Sequence, residues 1–208
     1  MHTHTHETQG QMTPADALQI LRDGNARFCA NLKANRNLLQ QVNETRDGQW
    51  PFAVVLSCID SRTSAELIFD QGLGDIFSIR IAGNFLNDDI LGSMEFSCRV
   101  AGAKLVVVLG HSQCGAIKGA CDDVELGLLT GMLKNIRPAV DAVPRPSAPS
   151  ERSSANSEFV ENVARENVWR SVDGIAKRSE VLRAMRDSGE IDIVGGMYNV
   201  ANGAVEFF

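Results

Sequence analysis

The 208-residue sequence lacks the features that would place a chain in a membrane, on a nucleic acid or outside the cell. No apolar run approaches the roughly 18 residues of a membrane-spanning helix, so no membrane partner is expected. The formal net charge is -6, which disfavours a nucleic-acid partner because phosphate binding needs a basic surface. The N-terminal stretch MHTHTHETQG has no basic n-region and no apolar h-region, so a cytoplasmic location is predicted.

Histidine is scarce, and the number of cysteines is odd. Three of the four histidines, His2, His4 and His6, lie near the N-terminus, where they could bind a metal weakly, and only His111 lies elsewhere. A disulfide framework is not expected in a chain of this size without an export signal. The thiols in polar surroundings are therefore predicted to bind metal or to take part in catalysis. The five cysteines are Cys29, Cys58, Cys98, Cys114 and Cys121.

Apolar runs of strand length alternate with helical patterns along the chain. The runs are FAVVLSCI, DIFSIRIAGNF, the start of KLVVVLGHSQCGAIKGA, and IDIVGGMYNVANGAVEF. This alternation predicts an α/β fold with a mainly parallel sheet flanked by helices, and the last run could add a C-terminal strand or hairpin. We expect a disordered tail over residues 1–12 and a single domain over 13–208. Helix interruptions are predicted at Gly24 and near residues 171–174.

Two of these strands end in polar residues that point to one kind of chemistry. Cys58, Asp60 and Arg62 occupy alternate positions and would share a face of an extended segment. His111 ends another strand, and Cys114 follows it three residues later. Thiolate and imidazole are ligands that zinc prefers, but H-x2-C alone is a weak signal and is more typical of a core cysteine near a satisfied histidine.

The turn after His111 is predicted to favour a thiolate. Gly110 and Gly115 permit a tight turn and a close approach of the backbone. Ser112 is a candidate N-cap, which would place Cys114 in the first turn of a helix. There the positive end of the helix dipole would lower the pKa of the thiol.

If the two strands are neighbours, Cys58, His111 and Cys114 converge on one ion and leave a fourth position open, as in catalytic zinc sites. A structural site would need a fourth ligand, and the local candidate is Cys121, some two helical turns after Cys114. Asp60 could close the open position, and Arg62 could hold it away through a bidentate pair. The alternative for Asp60 and Arg62 is an ordinary surface ion pair.

SCIDSR, RIAGN and GHSQCGA together resemble the β-class carbonic anhydrases, whose hallmark is C-x-D-x-R followed about fifty residues later by H-x-x-C. Here Cys58 and His111 are 53 positions apart. The resemblance implies one zinc ion per subunit, held by Cys58, His111 and Cys114, and a catalytic dyad of Asp60 and Arg62 that gates the fourth position. It also implies reversible hydration of CO2 to bicarbonate by a zinc-bound hydroxide.

The resemblance further implies a sheet of order 2-1-3-4 and a homo-oligomer, a dimer or a tetramer. Around the substrate it places Gln49, reaching across a subunit boundary, together with Phe77, Ala82, Phe96 and Gly115. One departure is that Ile81-Ala82-Gly83 stands within the motif that is usually R-N-x-A-N.

One subgroup of that family holds an inhibitory bicarbonate with a Trp three residues before the first ligand cysteine. This chain has Val55 there, although Arg80 and Tyr198 are plausible partners for such an anion. The resemblance therefore favours the subgroup without this pocket.

Three other functions compete with CO2 hydration. One is hydrolysis of CS2 or COS at the same site, and a second is a zinc-stabilised scaffold without activity. A third is dinucleotide binding at the glycine-rich turn GHSQCG, which lacks the full G-x-G-x-x-G.

Overall fold

A computed structural model describes residues 3–208 and contains a five-stranded sheet of order β2-β1-β3-β4-β5. The first four strands pair in parallel, and β5 runs antiparallel to β4. The predicted α/β class, the order 2-1-3-4 and the extra C-terminal strand are confirmed. The strands are β1 (Ala53–Ser57), β2 (Ile76–Arg80), β3 (Leu105–His111), β4 (Asp192–Tyr198) and β5 (Val205–Phe207).

Helices cover both faces of this sheet. Ten α-helices are found within the described residues, with one π-helical turn at Phe96–Val100 and one 3-10 turn at Pro149–Glu151. The helices are α1 (His6–Gln11), α2 (Pro14–Cys29), α3 (Leu38–Glu44), α4 (Ala65–Ile68), α5 (Asp88–Glu95), α6 (Gly115–Cys121), α7 (Gly127–Leu133), α8 (Arg137–Ala142), α9 (Ser157–Arg178) and α10 (Glu180–Asp187).

The two central strands are apolar along their whole length because both of their faces are covered. Every residue of β1 and of β3 is buried. Alternate residues enter two separate apolar clusters: Val54 and Val106 lie in one, and Val55 and Val107 in the other. A continuous apolar run is therefore required here, and not the alternating pattern of a half-exposed strand.

The predicted helix break at Gly24 is wrong, because α2 continues through it to Cys29. A Cβ atom at Gly24 would lie 1.8 Å from the carbonyl oxygen of Phe69, so the absence of a side chain permits close packing of this helix. The helix begins as expected, with Thr13 in a capping box with Asp16 and Pro14 in the first turn.

The helix break predicted near residues 171–174 is found later in the chain, at Ser179. Helix α9 runs without interruption to Arg178, and Ser171 in its middle is buried. The chain breaks at Ser179, whose side chain accepts a hydrogen bond from the backbone N–H of Leu182 and so caps α10.

The structure differs from the predicted disordered tail over part of residues 1–12. Thr5 caps the short helix α1, and Gln9 within that helix is buried. The Gln9 amide donates to the carbonyl oxygens of Pro51, at 2.7 Å, and Ala101, at 2.8 Å. These bonds tie α1 to the start of β1. His2 lies outside the described residues, and the single domain over 13–208 stays a prediction.

No helix within residues 3–208 is long and apolar enough to cross a membrane. The cytoplasmic location stays a prediction.

Candidate metal centre

The parallel sheet brings Cys58, His111 and Cys114 together at the carboxyl ends of β1 and β3. These strands are hydrogen-bonded neighbours, with Ser57 opposite Leu109. Cys58 directly follows β1, His111 ends β3, and Cys114 directly precedes α6. All three side chains are buried, and their possible ligand atoms lie within 4.8 Å of one another. The convergence that the sequence predicted is therefore present.

The His111 ring is oriented as a metal ligand would be. Its Nδ1 lies 2.9 Å from the carbonyl oxygen of Ser112, an acceptor, so Nδ1 carries the hydrogen. The lone pair is then on Nε2, which is buried and has no hydrogen-bond partner among the described residues. A buried acceptor without a partner is costly, and a metal ion would satisfy it.

The sulfurs of Cys58 and Cys114 share one hydrogen bond. Cys58 Sγ and Cys114 Sγ are 3.9 Å apart, and the backbone N–H of Gly83 donates to Cys58 Sγ at 3.3 Å. The hydrogen bond with Cys114 lowers the pKa of Cys58, whereas the same bond and burial raise the pKa of Cys114. Two sulfurs and one unpaired imidazole nitrogen form a donor set that fits zinc.

Cys121 does not join this cluster. Among the described residues, the group that could hold a metal ion contains only Cys58, His111 and Cys114. Cys121 lies in the apolar core, and burial raises the pKa of its thiol to about 11. Cys121 therefore does not supply the fourth protein ligand that a structural site would need.

The turn between His111 and α6 differs from the prediction at two residues. Cys114 is itself the N-cap residue, and the Ser112 side chain accepts a hydrogen bond from the backbone N–H of Val200 at 3.0 Å. The contact with the chain after β4 occupies Ser112, so it does not cap α6. Gly110 is needed for space, since a Cβ atom there would lie 2.6 Å from Val168, whereas Gly115 is open.

Asp60 and Arg62 form a bidentate ion pair beside the cluster. Arg62 Nε donates to Asp60 Oδ1 at 2.9 Å and Nη2 donates to Oδ2 at 2.7 Å, while the Arg62 backbone N–H also reaches Oδ1 at 2.9 Å. These hydrogen bonds hold the pKa of Asp60 well below its usual value. The carboxylate is ionised at neutral pH and is held by the arginine.

Comparisons with known proteins agree with this site. The family model for carbonic anhydrases matches residues 53–205. A carbonic anhydrase of Mycolicibacterium smegmatis is 36% identical over 196 residues, which cover 93% of this chain and 92% of that protein. The chain belongs to the β-carbonic anhydrase family. It is an enzyme of that family, and hydration of CO2 is the activity that the family and the cluster support.

Solved structures of the family share the fold. The β-carbonic anhydrase CafA of Aspergillus fumigatus superimposes with a TM-score of 0.69 at 24% identity, covering 93% of this chain and 89% of that one. A chain from the crystal structures of two tetrameric β-carbonic anhydrases of Sordaria macrospora gives a TM-score of 0.68 at 20% identity, covering 81% and 89%.

The other residues predicted to contact substrate do not all lie at this carbonic anhydrase site. Ala82 precedes Gly83, which contacts Cys58, and Gly115 follows Cys114. Gln49 is exposed in the loop before β1.

Phe77 and Phe96 contact each other edge to face, with ring centroids 6.3 Å apart. Phe77 is level with Val54, so it lies about 13 Å before Cys58 along the sheet, at roughly 3.3 Å per residue. The structure does not bring these two rings to the cluster of the same chain, and their role in an apolar pocket stays a prediction.

Three side chains that support the site were not predicted in these roles. Thr63 Oγ1 lies within hydrogen-bond distance of the carbonyl oxygens of Cys58 and Asp60, and Arg80 donates to the same two carbonyls. Asn167 in α9 donates to the carbonyl of Gly83 at 2.8 Å. The role of Thr63 could have been predicted, because this residue directly follows the SCIDSR motif. Nothing in the sequence indicates the role of Asn167, which is 84 positions from Gly83.

Proposed function

We propose that this carbonic anhydrase hydrates CO2 reversibly to bicarbonate and a proton, with one zinc ion per subunit held by Cys58, His111 and Cys114. The observation that carries the proposal is the buried cluster of three ligand atoms in which His111 Nε2 has no other partner. When bound, zinc lowers the pKa of water so that a hydroxide nucleophile is available near neutral pH.

The Asp60–Arg62 pair would orient the reaction and keep the fourth position open. Asp60 Oδ1 accepts two hydrogen bonds from Arg62, whereas Oδ2 accepts one. Because each carboxylate oxygen can accept two, Oδ2 is the atom free to accept a hydrogen from the nucleophile. The same pair would hold the carboxylate away from the fourth position. Hydrolysis of CS2 or COS stays the alternative chemistry for this site.

The decisive experiment combines metal analysis of the purified protein with stopped-flow CO2 hydration. We expect about one zinc per chain and a hydration rate that disappears on chelation and returns with added zinc. Tightly bound zinc without hydration at any pH would favour a zinc-stabilised scaffold, and faster turnover of CS2 or COS would favour the alternative chemistry.

Hydration should become faster as the pH rises above neutrality. Two thiolate ligands neutralise the charge of the ion, so bound water should keep its proton to higher pH than at a site with three histidines. The depressed pKa of Asp60 leaves its carboxylate ionised throughout this range, so its own titration does not cause the rise, whereas binding of this carboxylate to zinc at low pH would add to it. Initial rates between about pH 6 and 9 provide the measurement, and a flat profile would contradict the prediction.

We also propose that the protein is at least a dimer. Gln49 is exposed in the single chain, as expected if it contributes to the site of a neighbouring subunit. The Sordaria macrospora relatives are described as tetrameric. Sedimentation velocity on the active protein should show a dimer or a larger species, and an active monomer would refute this.

Inhibition by bicarbonate should be simple and competitive. Val55 is fully buried in β1 and offers no hydrogen-bond donor for a second anion. Arg80, a plausible partner for such an anion, already donates to two backbone carbonyls. Hydration rates against added bicarbonate at fixed pH and ionic strength test this, and a sigmoidal loss of activity would reveal a second anion site.

A further inference from the structure

The Arg80 guanidinium bridges the backbone on both sides of Ile59. Its Nε donates to the carbonyl oxygen of Cys58 at 3.1 Å, and its Nη2 donates to that of Asp60 at 2.7 Å. Cys58 supplies a sulfur to the group of candidate metal ligands, and Asp60 supplies the carboxylate of the dyad. We propose that Arg80 is a positioning residue that fixes this three-residue segment, Cys58–Ile59–Asp60, and thereby aims both side chains.

The segment needs such support because it lies beyond the sheet. The last backbone bond that ties β1 to the chain after β2 runs from the N–H of Ile81 to the carbonyl of Ser57. The side chain of Ile59 is 60% exposed and does not anchor the segment in the core. Side chains bond the carbonyls of Cys58 and Asp60 instead, and the Asp60 carbonyl also accepts the backbone N–H of Thr63 in the same loop.

Thr63 supports the same segment only from within the loop and does not anchor it to the sheet. The backbone N–H of Thr63 donates to the Asp60 carbonyl at 2.9 Å, and its hydroxyl, which has one hydrogen, lies within reach of both carbonyls. Arg80 donates to both at once, with charge-assisted bonds from a planar group of fixed geometry. Its backbone is held in register by β2, where Arg80 pairs with Ser57. A rigid strand thus sets the position of the segment.

A lysine at this position would keep the charge and lose the bridge. Its ammonium is a compact charge on a flexible stem and does not reproduce the planar fork. Arg80→Lys keeps the positive charge but removes the planar guanidinium, whereas Arg80→Met removes both, so the two variants distinguish the effect of the charge from that of the hydrogen-bond geometry. The matched controls are Arg99→Lys and Arg99→Met, because Arg99 is 65% exposed and its nearest carboxylate oxygen, on Glu190, is 3.9 Å away.

The test measures zinc affinity by competition with a chelator, together with kcat and KM for CO2 hydration. This inference rests on the proposed function, so zinc affinity serves as a readout that does not require activity. For Arg80→Lys and Arg80→Met we expect zinc affinity and kcat to fall by about 10- to 100-fold, as for other groups that orient metal ligands, with KM little changed. The Arg99 variants should match the unmodified protein.

Chemical rescue provides a second, independent readout. Guanidinium added at a low, non-denaturing concentration to Arg80→Ala should restore part of kcat, whereas an equal concentration of sodium chloride should not. Unchanged zinc affinity and kcat in Arg80→Lys would overturn the proposal, as would a lower melting temperature as the only effect. Should Arg80→Met not fold, Arg80→Lys and the rescue decide. If the unmodified protein binds zinc without hydrating CO2, the proposed function fails and the affinity series still tests Arg80.

Discussion

Replacing Cys114 by alanine should abolish both metal binding and hydration. The three ligand atoms lie within 4.8 Å of one another, and two ligands cannot hold zinc as three do. The loss should exceed the roughly 10- to 100-fold that follows removal of an outer hydrogen-bond partner of a ligand. Cys58→Ala and His111→Ala should behave alike. The measurements are zinc content by elemental analysis and stopped-flow hydration rates on the same preparations.

Two other buried cysteines provide matched controls for this prediction. Cys98 and Cys121 lie in the apolar core, and burial raises the pKa of these thiols to about 12 and about 11. Among the described residues, neither thiol belongs to the group that could hold a metal ion. Cys98→Ala and Cys121→Ala should retain a full complement of zinc and lose some stability through the cavity that each creates. A Cys114→Ala protein with full zinc content would disprove the ligand assignment.

The sheet could be predicted from the sequence because its central strands obey a simple physical rule. β1 and β3 are covered on both faces, and a continuous apolar run of strand length indicates such burial directly. The helix interruptions could not be predicted, because tertiary contacts decide them. Gly24 is compatible with a break, but it lies against the carbonyl of Phe69 within a continuous helix.

The candidate site also contains some residues that could be predicted from the sequence and others that could not. The residues that carry the chemistry, such as Cys58 and His111, could be predicted from their residue types and their spacing in the sequence. The groups that position them are linked to the backbone of distant segments, as Asn167 is to Gly83 and Arg80 to Cys58. A backbone carbonyl has no signature in the sequence, so these contacts depend on the register and the helix packing.

Replacing Asp60 by asparagine should lower the rate of CO2 hydration strongly while leaving metal binding intact. The bond pattern leaves Oδ2 free to accept one more hydrogen, and an amide nitrogen at that position can donate but not accept. It would also place N–H hydrogens against the Arg62 guanidinium. We expect kcat to fall by about 10²- to 10⁴-fold, the range for loss of a positioned acid–base group, while zinc content stays near one per chain.

The matched control for Asp60 is Asp47, which also lies beside an arginine. Arg46 Nη2 is 3.0 Å from Asp47 Oδ2, but the Asp47 side chain is 82% exposed and lies outside the metal cluster. Asp47→Asn should leave turnover unchanged, because an exposed ion pair contributes little. If Asp60→Asn hydrates CO2 within a few-fold of the unmodified enzyme, the carboxylate does not orient the nucleophile. If it loses its zinc, its main role is to maintain the metal cluster, and the division of roles between ligands and dyad is wrong.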